Sequence, residues 1–180
     1  MELSKARFIA NNIKSELEQT GVFTRIEIAG SIRREKPEVK DIEIVAAPKY
    51  VQVMDMFGEP KGYVSNAGFI TNLVDMVQGE KYIKNGDRYK QILLKSGINL
   101  DLFLVFPPAQ WGVIYTIRTG PWGFSKKIVT PEKWGGYLQT GCEVKDGALW
   151  DCGRTIDTPE EKDFFEYLTI DWTDPVIRVE

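Results

Sequence analysis

The 180-residue chain contains no histidine. That excludes Ser-His-Asp and Cys-His catalysis and every histidine-ligated zinc site. Acid–base chemistry must fall to carboxylates, lysines, tyrosines or a metal-bound group. Cysteine is nearly as scarce, with Cys142 and Cys152 alone. No charged segment precedes an apolar stretch at the N-terminus, so a secretion signal is not expected. Two thiols in such a chain are expected to be reduced, in a soluble cytoplasmic protein. Long apolar runs are also missing. The longest is Leu102 to Phe106, so no membrane partner is expected. There is no internal repeat and no low-complexity tract.

What is present suits one domain, or two small subdomains sharing a core, with a monomer expected. Hydrophobic residues make up 43% and charged residues 27%, an ordinary globular balance. A net charge of −3 argues against a strongly basic nucleic-acid binder, but the charge is uneven. Residues 157–180 carry eight acids and two bases, so the other 156 residues sum to +3. Within them, Arg118, Lys126, Lys127 and Lys133 face Glu132 alone between Arg118 and Trp134. This is either a solvated surface or a local basic patch.

Periodicity predicts a helix from Glu2 or Leu3 to Gln19, with Ala6, Ile9, Ala10, Ile13 and Leu17 at helical spacing. A strand over Val22–Ala29 runs into Gly30-Ser31, where a short helical turn can start. Asp41–Ala47 is a second strand. Helices are expected through Val51–Met56 and from Asn66 to Val77, covering one sheet face. Lys81–Lys84, Arg88–Leu94 and Asn99–Phe106 read as strands, the first two joined by an Asn85-Gly86 hairpin turn. Pro107-Pro108 marks a boundary between 1–107 and 108–180. In the second part Trp111–Thr116 is apolar, and Gly120–Gly123 breaks the chain. Gly135-Gly136 and Asp146-Gly147 suggest a small hairpin. Thr158 is expected to cap a last helix through Tyr167, with Glu160 and Glu161 in its first turn.

The informative stretch is Gly30-Ser31-Ile32-Arg33-Arg34, followed by Asp41-Ile42-Glu43. A strand entering Gly-Ser and a helix start makes an anion site. Glycine admits a ligand close to the backbone, Ser31 adds a donor, and Arg33 or Arg34 adds a planar fork. Taken alone, it reads rather as a tight turn with exposed arginines. Asp41 and Glu43 lie two apart on a strand, so their carboxylates share a face while Ile42 and Ile44 point to a core. Asp101 stands opposite the apolar face of Ile98, Leu100, Leu102 and Leu104. Alone, it reads equally as an acid on the wet face of a half-covered sheet. If the three acids converge, each pair at about 5 Å repels by roughly 3 kcal/mol at an effective dielectric near 20. An all-oxygen site of that kind selects Mg²⁺ or Mn²⁺.

These residues resemble the nucleotidyltransferase superfamily, and within it the family X DNA polymerases, the group of DNA polymerase beta. The resemblance rests on Gly30-Ser31 with Arg33-Arg34, Asp41-Ile42-Glu43 and Asn99-Leu100-Asp101-Leu102-Phe103. It continues through Gly112-Val113-Ile114-Tyr115 with Thr119-Gly120, similar to the family's Tyr-Phe-Thr-Gly segment with two extra residues. It ends in Glu160–Leu168 and Pro175–Arg178.

The resemblance implies an α+β fold: a nucleotidyltransferase palm over 1–107, a mixed sheet with helices on one face, then a small α/β thumb subdomain over 108–180. It implies transfer of a nucleoside monophosphate from a (d)NTP to the 3′-hydroxyl of a weakly bound DNA primer, with two Mg²⁺ or Mn²⁺ ions. Asp41 and Glu43 would ligate both ions. Asp101 would ligate one and take the hydroxyl proton. Gly30, Ser31 and Arg34 would hold the triphosphate, with Tyr115, Thr119 and Gly120 near sugar and base. Lys126, Lys127 and Lys133 are the candidate DNA contacts, with Trp122 beside them. Glu43 stands where the family usually has aspartate. The alternatives are transfer to RNA, protein or a small molecule, or an inactive nucleotide- or DNA-binding module.

Overall fold

The structure, a computed structural model, describes residues 1–70 and 72–178. It is an α+β protein with a mixed five-stranded sheet and six α-helices among the described residues. Helix α1 (Leu3–Gln19) buries Ala6, Ala10, Ile13 and Leu17, a stripe that repeats every three to four residues. Strand β1 (Phe23–Ile28) leads through the single-turn helix α2 (Gly30–Arg33) to β2 (Asp41–Pro48). Strands β5 (Gly79–Asn85), β6 (Tyr89–Leu94) and β7 (Asn99–Leu104) complete a sheet of order β1-β2-β7-β6-β5. The central pair, β2 and β7, is parallel; the other pairs are antiparallel.

Alternation sorts this sheet. Ile42, Ile44, Leu100 and Leu102 are fully or almost fully buried against α1 and the short helix α3 (Leu73–Met76). Truncating any of these to alanine is expected to cost about 2 to 5 kcal/mol. The opposite face is divided. Val45, Phe103 and Val105 are covered by Trp111 and Tyr115 of α4 (Trp111–Thr119). Asp41, Glu43 and Asp101, nearer the start of the two central strands, carry polar side chains on that same face. The helices of residues 1–107, α1, α2 and α3, thus pack on one face of the sheet, as expected, and α4 from the second part shields the apolar half of the other.

The second part has its own core of Val113, Ile128, Leu138, Leu149, Phe164 and Phe165. Helix α4, helix α5 (Trp122–Ile128), a three-stranded sheet of β8 (Cys142–Lys145), β9 (Ala148–Asp151) and β10 (Arg154–Ile156), and helix α6 (Glu161–Tyr167) build it. Gly112 lets α4 lie against the chain entering α6, where its N–H donates to the Thr158 carbonyl at 2.9 Å. A Cβ there would collide with the Thr158 and Glu160 carbonyls.

Several expectations change. Tyr50–Met54 is strand β3, not helix, and pairs with β4 (Pro60–Ser65). The aromatic Tyr50 and β-branched Val51 and Val53 favour a pleated ribbon. Asp55 closes its turn by accepting from the Phe57 and Glu59 N–H groups at 2.8 and 3.0 Å. The helix expected over Asn66–Val77 is a 3₁₀ turn (Asn66–Phe69) and the short α3, with Thr71 outside the described residues. Gly120–Gly123 is a corner between two helices. Asp146-Gly147 turns β8 into β9, whereas Gly135-Gly136 follows a 3₁₀ turn and forms no hairpin. Thr158 is buried and bonds the Gln110 side chain. Glu160 holds the cap position of α6, its N–H donating to the Asp163 carboxylate at 2.7 Å. Cys142 and Cys152 are free thiols. No helix among the described residues is long and apolar enough to cross a membrane.

Candidate active site

Parallel pairing of β2 and β7 sets Glu43 directly across from Asp101, and Asp41 across from Asn99. Neighbouring strands lie about 4.8 Å apart, so alternation brings all three carboxylates to one patch of one face. The patch is electrostatically crowded. Burial, then the Asp41 charge, pushes the Glu43 carboxyl up to about 7 against the pull of Arg34 and Arg118. Burial, then Asp101, raises Asp41 as well. A cation bound beside them would favour the charged form of both.

The donor set is all oxygen and suits a hard divalent ion. Among the described residues, no three histidine, cysteine, aspartate or glutamate side chains come together as a group that could hold a metal ion, so Asp41, Glu43 and Asp101 share a face without converging on one point. The residues fit such an ion by chemistry and strand register: Glu43 and Asp101 face each other, and Asp41 is one step along.

The turn after β1 abuts these acids. Gly30 has φ +59, and a Cβ on it would overlap the Glu43 carboxylate. Only glycine serves here, for both reasons. The Ser31 hydroxyl is buried with no hydrogen-bond partner among the described residues. An orphaned buried donor is costly unless a ligand meets it. Arg34 donates to the Thr119 and Gly120 carbonyls at 2.6 and 3.0 Å, and its charge acts on both Asp41 and Glu43. A cavity of about 420 Å³ is lined by Arg34, Glu43, Arg118, Gly120, Trp122 and Lys126 among others; of the three acids, Glu43 alone lines it. Its lining is mainly cationic, three basic side chains to one carboxyl, which suits an anionic ligand.

The structure places the other sequence-derived residues as follows. Tyr115 and Thr119, expected near sugar and base, are buried. The Tyr115 hydroxyl donates to the Ile28 carbonyl at 3.3 Å, and Arg33 covers its ring at 4.0 Å. Arg33 also donates to the Thr119 hydroxyl at 2.6 Å. Because α4 runs unbroken, residues 115 and 119 share a face turned to Arg33, while Ile117 and Arg118 turn to the cavity. No insertion interrupts that helix. Lys126 lines the cavity with its ammonium 5.0 Å from the Trp122 ring; Lys127 lies over Tyr137 and Lys133 over Trp134.

Two residues go unnoticed in the sequence, and a third, Arg118, figures there only in the basic patch. Tyr89 and Gln91 of β6 both donate at 2.9 Å to the same oxygen of Asp101, Oδ1. Their i, i+2 spacing opposite buried Lys90 and Ile92 was a usable clue, but only the β6–β7 register connects them to Asp101. Arg118 lies over the Phe103 ring at 4.1 Å, with a buried Nε that meets no partner among the described residues. Burial lowers its pKa, opposed first by the pull of Glu43. Arg33, by contrast, is spent on structure, forming a two-pronged ion pair with Glu161 at 3.1 and 2.8 Å.

No protein-family model matches the chain, and a search of curated proteins finds no significant match.

Proposed function

We propose that the protein is a metal-dependent nucleotidyltransferase that adds a nucleoside monophosphate from a (d)NTP to a DNA 3′-hydroxyl, as a reduced palm-and-thumb DNA polymerase. The observation that carries this is the meeting of Glu43 and Asp101 across two parallel strands, with Asp41 on the same face, beside the Gly30-Ser31 turn and a cavity with a cationic wall.

Asp41, Glu43 and Asp101 would hold two Mg²⁺ or Mn²⁺ ions. Bound there, the ions would neutralise the triphosphate and make the attacking hydroxyl more acidic. The Ser31 hydroxyl, otherwise unmatched, would donate to a phosphate oxygen, and Gly30 lets the Glu43 carboxylate lie against the turn backbone. Arg34 and Arg118 supply positive charge to the same cavity. The 3′-oxygen attacks the α-phosphorus, a P–O bond forms, and the bond to the β-phosphate oxygen breaks with release of pyrophosphate. Asp101 would take the hydroxyl proton. Both donors to it occupy Oδ1, which leaves Oδ2 for that role.

The test is a labelled primer, with and without template, offered each nucleotide with Mg²⁺ or Mn²⁺. Extension that disappears in Asp101→Asn supports the proposal. A folded parent protein that extends no primer under either metal overturns it.

A further inference from the structure

The chain has five tryptophans, and two differ from the rest. Trp111 is buried under Tyr115, Trp150 donates its indole N–H to the Lys145 carbonyl, and Trp172 donates to Glu161. Trp122 and Trp134 are 74% and 72% exposed. Rings of this size left so open are unusual in a protein with ample core to hold them. Each carries a lysine on its face: Lys126 Nζ is 5.0 Å from the Trp122 ring centre, and Lys133 Nζ is 4.4 Å from that of Trp134. Between them Lys127 lies over Tyr137 at 4.9 Å. None of the three lysines joins an ion pair among the described residues, although Glu132 is next to Lys133 in the chain.

We infer that this segment, Trp122 to Tyr137, is a binding surface for single-stranded nucleic acid. Each Trp–Lys pair has the makings of a one-nucleotide site. One ring face meets the ammonium, the rest of the ring is open to a base, and the ammonium remains available to the adjoining phosphate. Duplex DNA hides its base faces inside the stack and has no use for such rings except at an end. Three lysines alone make a thin electrostatic footprint on a chain of net charge −3, so stacking must supply much of the affinity. Lysines beside exposed tryptophans also suit an anionic lipid surface. Nucleic acid is favoured because Trp122 and Lys126 line the same cavity as Glu43, where a strand on this surface would end. The inference extends the nucleotidyl-transfer proposal by naming its strand partner, and the binding needs no catalysis.

The test uses the full chain and a fluorescent twelve-residue oligo(dT) in EDTA at low salt, followed by anisotropy and by quenching of tryptophan emission. A blunt duplex and vesicles containing anionic lipid are run beside it. Tighter binding to oligo(dT) than to duplex is expected, with a salt slope near −2 for three phosphate contacts. Trp122→Ala and Trp134→Ala should each weaken binding roughly tenfold, and Trp122→Phe and Trp134→Phe should retain most of it. Lys126→Ala with Lys133→Ala should flatten the slope by about 1.4. Unchanged affinity in both alanine variants, preference for duplex, binding to vesicles in place of oligo(dT), or no binding by the parent overturns the inference. Asp101→Asn should lose primer extension and keep oligo(dT) binding. A parent that binds oligo(dT) yet extends no primer removes the catalytic proposal and leaves this surface standing.

Discussion

The hydroxyl of Tyr89 donates to Asp101 at 2.9 Å, and it shares its acceptor oxygen with Gln91. One carboxylate oxygen is thereby fixed and the other is left to act. Burial, then that hydrogen bond, pushes the Tyr89 phenol above its ordinary value, so it stays a donor across any working pH. Tyr89→Phe is expected to lower kcat about tenfold with little change in nucleotide KM, read from steady-state extension. An unchanged kcat would show that Gln91 alone suffices to hold Asp101.

Asp101→Asn should abolish transfer and leave the fold intact. Asparagine keeps an acceptor for Tyr89 and Gln91 but cannot take a proton. One negative charge fewer also relieves Asp41 and Glu43. A thermal midpoint equal to or above that of the parent, with no extension, is the expected pair of results. Near-normal extension would remove Asp101 from the chemistry.

Stability of the metal-free protein should fall as pH rises through the weakly acidic range. Below the ordinary glutamate value of 4.5, Glu43 is protonated whether the chain is folded or not. Between there and its folded value of about 7, the unfolded chain releases the proton and the folded chain keeps it. The loss levels off above that, at about 3 kcal/mol. Asp41, raised in the same direction, adds to it. Urea unfolding in EDTA at pH 5 and pH 8 should show the drop, and Glu43→Gln should flatten it and be the more stable protein at pH 8. Mg²⁺ or Mn²⁺ should restore the parent at pH 8 and do less for the variant.

Gly30→Ala should damage both fold and site. The left-handed backbone at this position costs a non-glycine residue about 1 to 2 kcal/mol. The new methyl would also displace the Glu43 side chain. Reduced Mn²⁺ affinity, read by titration, is expected alongside the lower stability. Alanine tolerated without loss of metal affinity would show that Glu43 moves freely.

Glu161→Gln should destabilise the protein by about 3 to 5 kcal/mol in urea unfolding. Glu161 is buried, accepts from Arg33, from the fully enclosed Arg178 at 2.9 Å and from Trp172 at 2.9 Å, and has no neutral equivalent. Burial alone would raise its pKa, but the hydrogen bonds from Arg33 and Arg178 outweigh burial and hold it low. A change under 1 kcal/mol would mean that the two arginines find other partners.

Much of the frame can be read from the chain because its cues are periodic. Ala6, Ala10, Ile13 and Leu17 declare α1, and Ile42 and Ile44 against Asp41 and Glu43 declare which way β2 faces. Short apolar runs carry no such period, which is why Val51–Met56 reads as helix until Asp55 is seen closing a hairpin. The site divides the same way. Alternation alone puts Asp41 and Glu43 on one face, but the partners of Asp101 depend on the β6–β7 register, which no local pattern specifies. Tyr115 and Arg118 are three residues apart on one helix, and only packing decides which meets Arg33 and which meets the cavity. The Arg33–Glu161 pair joins residues 128 positions apart, beyond any local cue.

Arg33 follows the Gly30-Ser31 turn by two residues and is held from the far end of the chain by Glu161, which Arg178 also pairs. The turn and the second subdomain therefore share one anchor. A displacement of either is felt as load on the other, with no intervening linker to absorb it. Were both proposed ligands to bind, coupling through that anchor would be thermodynamically reciprocal: whatever factor an occupied turn imposed on strand affinity, a bound strand would impose on affinity at the turn.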